Sequence, residues 1–284
     1  MMVCSRDASG GEMTLKQGED SLNCRWCAGL SRPVFHTRVL ASYDVQYFAC
    51  NGCGSLQTEL PHWLDEAYSL NLSALDTGAL DRNIRNLAAT MAVARVLGLQ
   101  NVVDRGGGDG LLCRLLRDRE INCFVSDRYA RPVYAQGFQD PDFERPDLVL
   151  AFEVIEHLVH PGQELTDIFG QGARAVLATT GIYRGQDGSW WYLAPESGQH
   201  VFFYSEHAIQ QIAMRYGYVL VDNRDYLLFC RVAELTTMKR LLLRALLKPS
   251  RASWLRSWAV HSSKAGAWND HQRVTAQMKS REAH

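Results

Sequence analysis

Between residues 101 and 233, six short apolar runs alternate with stretches whose apolar positions recur at helical spacing. The runs cover 101–104, 123–126, 147–152, 173–179, 218–221 and 226–232, and none shows the strict in-and-out alternation of a sheet with one wet face. Strands of that kind are buried on both faces, as in a parallel sheet flanked by helices. Helical stretches at 110–119, about 129–136, 161–170 and 205–216 fall between them. The β-α-β-α order predicts an α/β fold, a doubly wound Rossmann-like sheet. Only Asp222, Asn223, Arg224 and Asp225 separate the last two runs, so the sheet is expected to close with an antiparallel strand. Upstream, Ile84, Leu87, Ala88, Met91, Val93, Ala94 and Leu97 repeat on a helical period, and Gly98 is a natural stop.

The pattern divides the chain into a polar lead at 1–23, expected to be disordered, a cysteine-bearing module at 24–60, the α/β domain with its leading helices at 61–233, and a helical tail at 234–284. With 46% hydrophobic residues in 284, the chain can bury a sizeable core. No apolar run reaches the roughly 18 residues of a membrane span. The lead lacks the apolar stretch of a secretory signal. A cytoplasmic protein is the expectation, with its eight cysteines present as thiols or metal ligands.

The overall charge of −1 conceals a division: residues 1–234 carry a net −9 and residues 235–284 a net +8. A uniformly basic chain would suggest nucleic acid; here only the tail offers a basic surface. Within it, Arg240, Arg244 and Lys248 share one helical face, while Lys239 falls in the apolar arc. Packing on the domain with a solvated basic side is the favoured expectation. Peripheral contact with an anionic membrane, helped by Trp254 and Trp258, is the alternative.

Cys24-Arg25-Trp26-Cys27 and Cys50-Asn51-Gly52-Cys53 form two C-x-x-C knuckles. Two thiolates from each make a closed Cys4 site of the structural zinc type, with no open position for catalysis. Such an ion would hold together a segment too small to have its own core. Cys113, Cys123 and Cys230 fall on predicted elements and read as core residues.

The strongest chemical signal is Asp104-Arg105-Gly106-Gly107-Gly108-Asp109-Gly110, at the end of the first run and the entry to a helix. Glycines allow positive φ and close approach of backbone to a ligand. The spacing is D-x-G-x-G-x-G and not the G-x-G-x-x-G that serves a pyrophosphate, which Asp104 would repel. Asp127 ends the second run, 17 residues after Gly110, where an acid can accept hydrogen bonds from a ribose.

These segments, with Phe152-Glu153-Val154-Ile155-Glu156-His157 after the third run, resemble the class I S-adenosylmethionine-dependent methyltransferases over roughly residues 80–233. Arg105 departs from their pattern, in which that position is apolar. The resemblance implies that Asp104 and Gly106 border the methionine end of the cofactor, Gly108 and Gly110 complete the turn, Asp127 binds the ribose, and Phe152 and Glu153 lie beside the methyl donor. Asp140 and Asp142 are the adenine-side candidates. The knuckles followed by Cys53-Gly54-Ser55-Leu56-Gln57 and Tyr68-Ser69 resemble sugar and small-metabolite methyltransferases.

The long segment after the fourth run is rich in aromatics and glycine, which suits a lid over an organic acceptor. Tyr183, Trp191 and Tyr192 are candidates for lining that pocket. A hydroxyl acceptor benefits from a base, for which His200 is the first candidate and His157 the second; a structural hydrogen bond is the competing role for each. The expected function is S-adenosylmethionine-dependent methyl transfer to a small molecule, such as a sugar or glycoconjugate intermediate, with zinc in a structural role. The alternative is an RNA methyltransferase that uses the module and tail as RNA contacts. Between Cys24 and Gln57, however, the only Lys or Arg residues are Arg25, Arg32 and Arg38, too few for an obvious phosphate surface.

Overall fold

The computed structural model describes residues 21–69, 77–223 and 225–282. Most of the expected lead, including Cys4, lies outside the described residues. All six apolar runs become strands of one sheet: β5 (Asn101–Arg105), β6 (Asn122–Ser126), β7 (Leu148–Phe152), β8 (Ala175–Thr179), β10 (Val219–Asn223) and β11 (Leu227–Cys230). The sheet order is β10-β11-β8-β7-β5-β6. β6, β5, β7 and β8 run parallel, whereas β11 pairs antiparallel with β8 and with β10.

Both faces are covered, which explains why the strands carry no polar side. On one face pack α2 (Ala79–Leu97), α3 (Leu111–Arg117) and the C-terminal helices, through Leu87, Val93, Leu112, Leu116, Leu243 and Leu255. On the other lie the short helices α4 (Pro161–Glu164) and α5 (Thr166–Phe169), then α6 (Glu206–Arg215), and, less expectedly, the cysteine knuckles. Ser205 starts α6 by accepting a hydrogen bond from Ala208 N, an N-cap.

One expected helix is absent. Residues 129–136 form turns, and the chain touches β6 through Val125 N donating to Phe138 O. Pro132 disfavours helical geometry in the residue before it, and Gly137 at φ +83° ends the segment five residues later. The Asp127 carboxylate also accepts from Tyr129 N and Ala130 N, an Asx-type turn that competes with a helical start.

The cysteine module is built on an antiparallel sheet: β1 (Leu22–Asn23), β2 (Leu30–Val39), β3 (Tyr43–Cys50) and β4 (Leu56–Thr58). Its fifth strand, β9 (Phe202–Phe203), comes from the α/β region: Leu56 faces Phe203 and Gln57 faces Phe202. After β4 the chain forms α1 (Leu64–Ser69) and then reaches α2.

The tail forms α7 (Thr237–Leu246), α8 (Ala252–His261) and α9 (Ala265–Glu282). Leu243, Leu247, Leu255 and Ala259 are buried, while Met238, Leu241 and Trp254 are exposed. α9 turns back onto α3, where Asp270 accepts from Arg117 Nε and Nη2 and from Arg114 Nη2, each at 2.7 Å. Burial raises the Asp270 carboxyl, but the hydrogen bonds from Arg117 and Arg114 outweigh that and hold it low. Among the described residues, no helix is long and apolar enough to cross a membrane.

Candidate active site

Asp104, Gly106, Gly108, Gly110 and Asp127 come together at the carboxyl ends of β5 and β6, where open α/β sheets bind ligands. Gly106 (φ +66°) and Gly110 (φ +82°) adopt left-handed backbone. A Cβ on Gly106 would lie 2.6 Å from Val154 Cγ2, and one on Gly110 would lie 2.8 Å from Ala135 Cβ. Positive φ and lack of space both demand glycine at these two positions.

Asp104 is 2% exposed, and its Oδ2 has no hydrogen-bond partner. Burial, with the charge of Asp127 adding to it, pushes this carboxyl up to about 7. A buried, unsatisfied carboxylate oxygen beside a glycine turn is a fitting receptor for an ammonium group. Asp127 Oδ2 accepts from Gly108 N at 2.9 Å, and its Oδ1 accepts from Tyr129 N and Ala130 N at 2.8 and 2.7 Å. Three of the roughly four acceptor sites of a carboxylate are thus used, which fixes its orientation and leaves one for a ligand hydroxyl. Arg105 places Nη1 2.9 Å from Ser126 Oγ. Asp142 belongs elsewhere: it accepts from Asn122 and pairs with Arg273, at the amino end of β6, away from the glycine turn. The structure therefore removes it as an adenine-side candidate.

Phe152 and Glu153 end β7. Glu153 has φ +53°, and its N–H donates to Thr179 Oγ1 at 3.0 Å. Tyr192 Oη donates within reach of both Glu156 Oε1 (2.6 Å) and Glu153 Oε2 (3.0 Å). Glu156 is fully buried with Oε2 unpartnered, and burial, then the charge of Glu153, raises its carboxyl well above the usual range. Burial thus favours the protonated form of this group.

His157 and His200 meet edge to face, with ring centroids 4.9 Å apart. His200 Nδ1 donates to Tyr192 O at 2.7 Å, since a carbonyl only accepts, so Nε2 carries the lone pair. Burial, then the neighbouring His200, lowers His157 to about 3, and burial lowers His200. Both rings are therefore neutral at neutral pH. Tyr68 Oη lies 3.3 Å from His157 Nδ1, and its ring stacks on Tyr129 beside Asp127. Ligand atoms of Glu156, His157 and His200 all lie within 4.8 Å of one another.

A cavity of about 580 Å³ opens at the carboxyl ends of β7 and β8. Glu153, Thr179, Trp191, Tyr192, Tyr226 and Leu247 are among its lining residues. Trp191, at 80% exposure, presents its ring to the cavity side of the chain. Tyr183 does not line this cavity. Its backbone bridges to Ser205 and its N–H bonds Tyr204 O, which draws the ring into the core shared with Phe203 and Trp63. Neither histidine lines the cavity; Tyr192 links them to it. The sequence reading overlooked Glu156 and Tyr68 as site residues. The spacing of Glu153 and Glu156, three apart around a turn, was the available signal for the first; nothing local marks Tyr68.

The four knuckle cysteines converge, with Cys24 and Cys53 Sγ 3.7 Å apart and Cys27 and Cys50 Sγ 3.5 Å apart. A tetrahedral ion with zinc–sulfur bonds of about 2.3 Å requires edges of about 3.8 Å, so this donor set could hold zinc. A hydrogen bond from the Cys24 thiol lowers Cys53 to about 5. Arg25, between the first two knuckle cysteines, is half-buried and donates to Val159 O, Thr58 O and Val201 O. It is not available to a phosphate, which leaves Arg32 and Arg38 as the exposed cations of this segment.

Residues 62–223, more than half of the chain, match a family model described as a methyltransferase domain. No curated protein matches the sequence. Similar solved structures include a Burkholderia thailandensis 1,6-didemethyltoxoflavin-N1-methyltransferase bound to S-adenosylhomocysteine, 14% identical with a TM-score of 0.45, covering 74% of this chain and 97% of that one. A Synechocystis magnesium protoporphyrin IX methyltransferase with the same ligand is 13% identical, with a TM-score of 0.39, covering 61% and 96%. The plantazolicin methyltransferase BpumL is 11% identical, with a TM-score of 0.40, covering 69% and 87%.

Proposed function

The chain belongs to the methyltransferase-domain family, and from that premise we propose that it binds S-adenosylmethionine at the glycine turn and methylates a small organic acceptor, a sugar or related glycoconjugate intermediate. The observation that carries the reading is the unsatisfied Asp104 oxygen, buried against Gly107 of the glycine turn and close enough to Asp127 to feel its charge. Asp104 holds the amino group of the methionine end, Gly106, Gly108 and Gly110 let the backbone close on it, and Asp127 accepts from the ribose. Phe152 and Glu153 flank the donor. When bound, S-adenosylmethionine supplies a sulfonium methyl for direct in-line transfer.

The protein's part is to align the acceptor and exclude water. Trp191 and Tyr192 bound the acceptor space. His200, the first of the two candidate bases, does not line the acceptor cavity, so its proposed role is positional: its Nδ1 donates to Tyr192 O and holds the residue that bounds the acceptor space. His157, packed against it, holds its ring and is the second candidate. The four cysteines hold a structural zinc. The engagement of the Arg25 guanidinium with three backbone carbonyls speaks against the RNA alternative.

Isothermal titration with S-adenosylhomocysteine tests the cofactor reading. Binding at one site per chain is expected, with Asp127→Ala weakening it about tenfold or more through the lost charge-assisted hydrogen bond. Unchanged affinity in that variant, or tighter binding of NADH, overturns the reading.

A further inference from the structure

The first tail helix, α7, has two apolar faces. Leu243, with Leu247 just after the helix, is buried and fixes it to the α/β body. Met238, Leu241 and Leu242 lie on the opposite side, within an arc of about 100° when positions are projected along the helix. These three side chains are 74%, 61% and 43% exposed, so an apolar stripe faces solvent. Single surface leucines are ordinary, but a stripe at helical spacing is a contact face. α8 has the same construction: Leu255 and Ala259 are buried, and Trp254, turned away from them, is 60% exposed. Both helices pack on α2 and form one layer over it, with their outer faces away from the body.

Charge says what this face suits. Residues 237–261, which span α7, α8 and the turn between them, hold six Lys or Arg and no Asp or Glu. Arg256 is paired with Asp81 at 2.9 Å, and Arg244 is engaged within the protein. Lys239, Lys248 and Arg251 have no ion-pair partner among the described residues. Acids nearby include Glu234, which accepts from Arg174 at 2.6 Å, and Asp225 and Glu153, which line the cavity alongside Lys248. An apolar stripe edged by cations, with no acid among them, matches the surface of an anionic bilayer. Leucine and methionine enter the acyl boundary, tryptophan rests at headgroup level, and Lys and Arg meet the lipid phosphates. RNA would use the cations and leave the leucines in water. A second copy of the same face would set cation against cation.

We propose that the outer face of α7 and α8, built from Met238, Leu241, Leu242 and Trp254 and edged by Lys248 and Arg251, docks on an anionic lipid membrane. The turn between the two helices also lines the 580 Å³ cavity through Lys248 and Pro249, so this docking sets the cavity beside the bilayer. Membrane docking stands whether or not the glycine turn binds a cofactor.

The experiment sediments the full-length protein with vesicles of phosphatidylcholine, alone or with about 30% phosphatidylglycerol, in about 0.1 M salt. Binding to the anionic vesicles is expected, at least about tenfold stronger than to the neutral ones, and weaker as salt rises. Lys248→Gln combined with Arg251→Gln should weaken it about twentyfold, at about fivefold for each cation. Leu241→Ser combined with Leu242→Ser should weaken it about tenfold or more, because apolar contact is lost at constant charge. All four side chains are exposed, so the melting temperatures of both variants should stay close to that of the unsubstituted protein. No binding to anionic vesicles, equal binding to neutral ones, or indifference to either pair of substitutions overturns the proposal. Self-association that the leucine substitutions abolish, in a protein that ignores vesicles, assigns the face to a second copy instead. RNA binding that survives the leucine substitutions, again without vesicle binding, returns the cations to the RNA alternative.

Discussion

At the scale of single residues, burial sets the chemistry. Asp104 moves from an ordinary 3.8 to about 7 because its carboxyl is desolvated. An ammonium is held by the ionised form, so S-adenosylhomocysteine should bind more tightly as pH rises from 6 to 8. Asp104→Asn should weaken binding and remove that dependence; calorimetry at both pH values reads it. For the free protein the sign reverses. The folded state keeps a proton on Asp104 that the unfolded chain releases, so this group removes stability as pH rises from about 4 to about 7. His157 acts in the opposite window. Its value falls from 6.5 to about 3, so the unfolded chain takes up a proton first and stability declines as pH drops from about 6.5 towards 3. Replacing His157 with Gln should flatten the acid side of a melting-temperature profile. His200→Ala should lower kcat by up to about 100-fold while leaving S-adenosylhomocysteine affinity in place, as expected for loss of the contact that positions Tyr192 at the acceptor. The motif residues at 104–110 and 127 were legible because glycine spacing and a strand-end acid are local patterns. Tyr68 and Glu156 were not, because their meaning depends on Tyr192 and His157 arriving from elsewhere in the chain.

At the scale of elements, the six strands were legible because each is an apolar run with a turn signal at its end, although runs without alternation say nothing of their register. The helix expected at 129–136 failed for reasons present in the sequence: Pro132, Gly137 and the turn-forming Asp127. The tail was legible as helical but not as to what it covers. Its anchor is the Asp270 carboxylate between Arg117 and Arg114, partners more than 150 positions away that no periodicity reveals. Asp270→Ala leaves the buried Arg117 guanidinium without its carboxylate, while Arg114 keeps Asp118. Loss of about 3–5 kcal/mol is expected, as when one partner of a buried pair is removed. Urea unfolding reads the change, and a midpoint equal to that of the unsubstituted protein would show that α9 contributes nothing to the fold.

At the scale of the whole molecule, the cysteine module and the α/β sheet are not separate bodies joined by a linker. β9 is drawn from the segment after β8 to complete the module's sheet, and Ser205, two residues beyond it, donates through Oγ to Cys53 O. The module in turn buries Cys24, Trp26, Cys50 and Cys53 against the same core as Val149 and Ile209. The sequence showed the knuckles but not this docking, since a two-residue strand such as Phe202–Phe203 has no periodic signature of its own. The arrangement makes the four thiolates a support for the acceptor side. His200 immediately precedes Val201, whose carbonyl accepts from Arg25 at 2.6 Å. If the four sulfurs hold the proposed zinc, its removal leaves them without the ion that neutralises them, so the knuckles should open and release β9 and His200 together. The glycine turn and Asp127 follow β5 and β6, in the other sheet. Chelation at neutral pH should therefore lower the melting temperature and reduce turnover more than it reduces S-adenosylhomocysteine affinity. Metal analysis should find one zinc per chain, and Cys53→Ser should reproduce the chelated behaviour. Equal loss of cofactor binding and turnover would instead place the module's support beneath the whole domain, and no loss of either would leave the four cysteines without a structural metal.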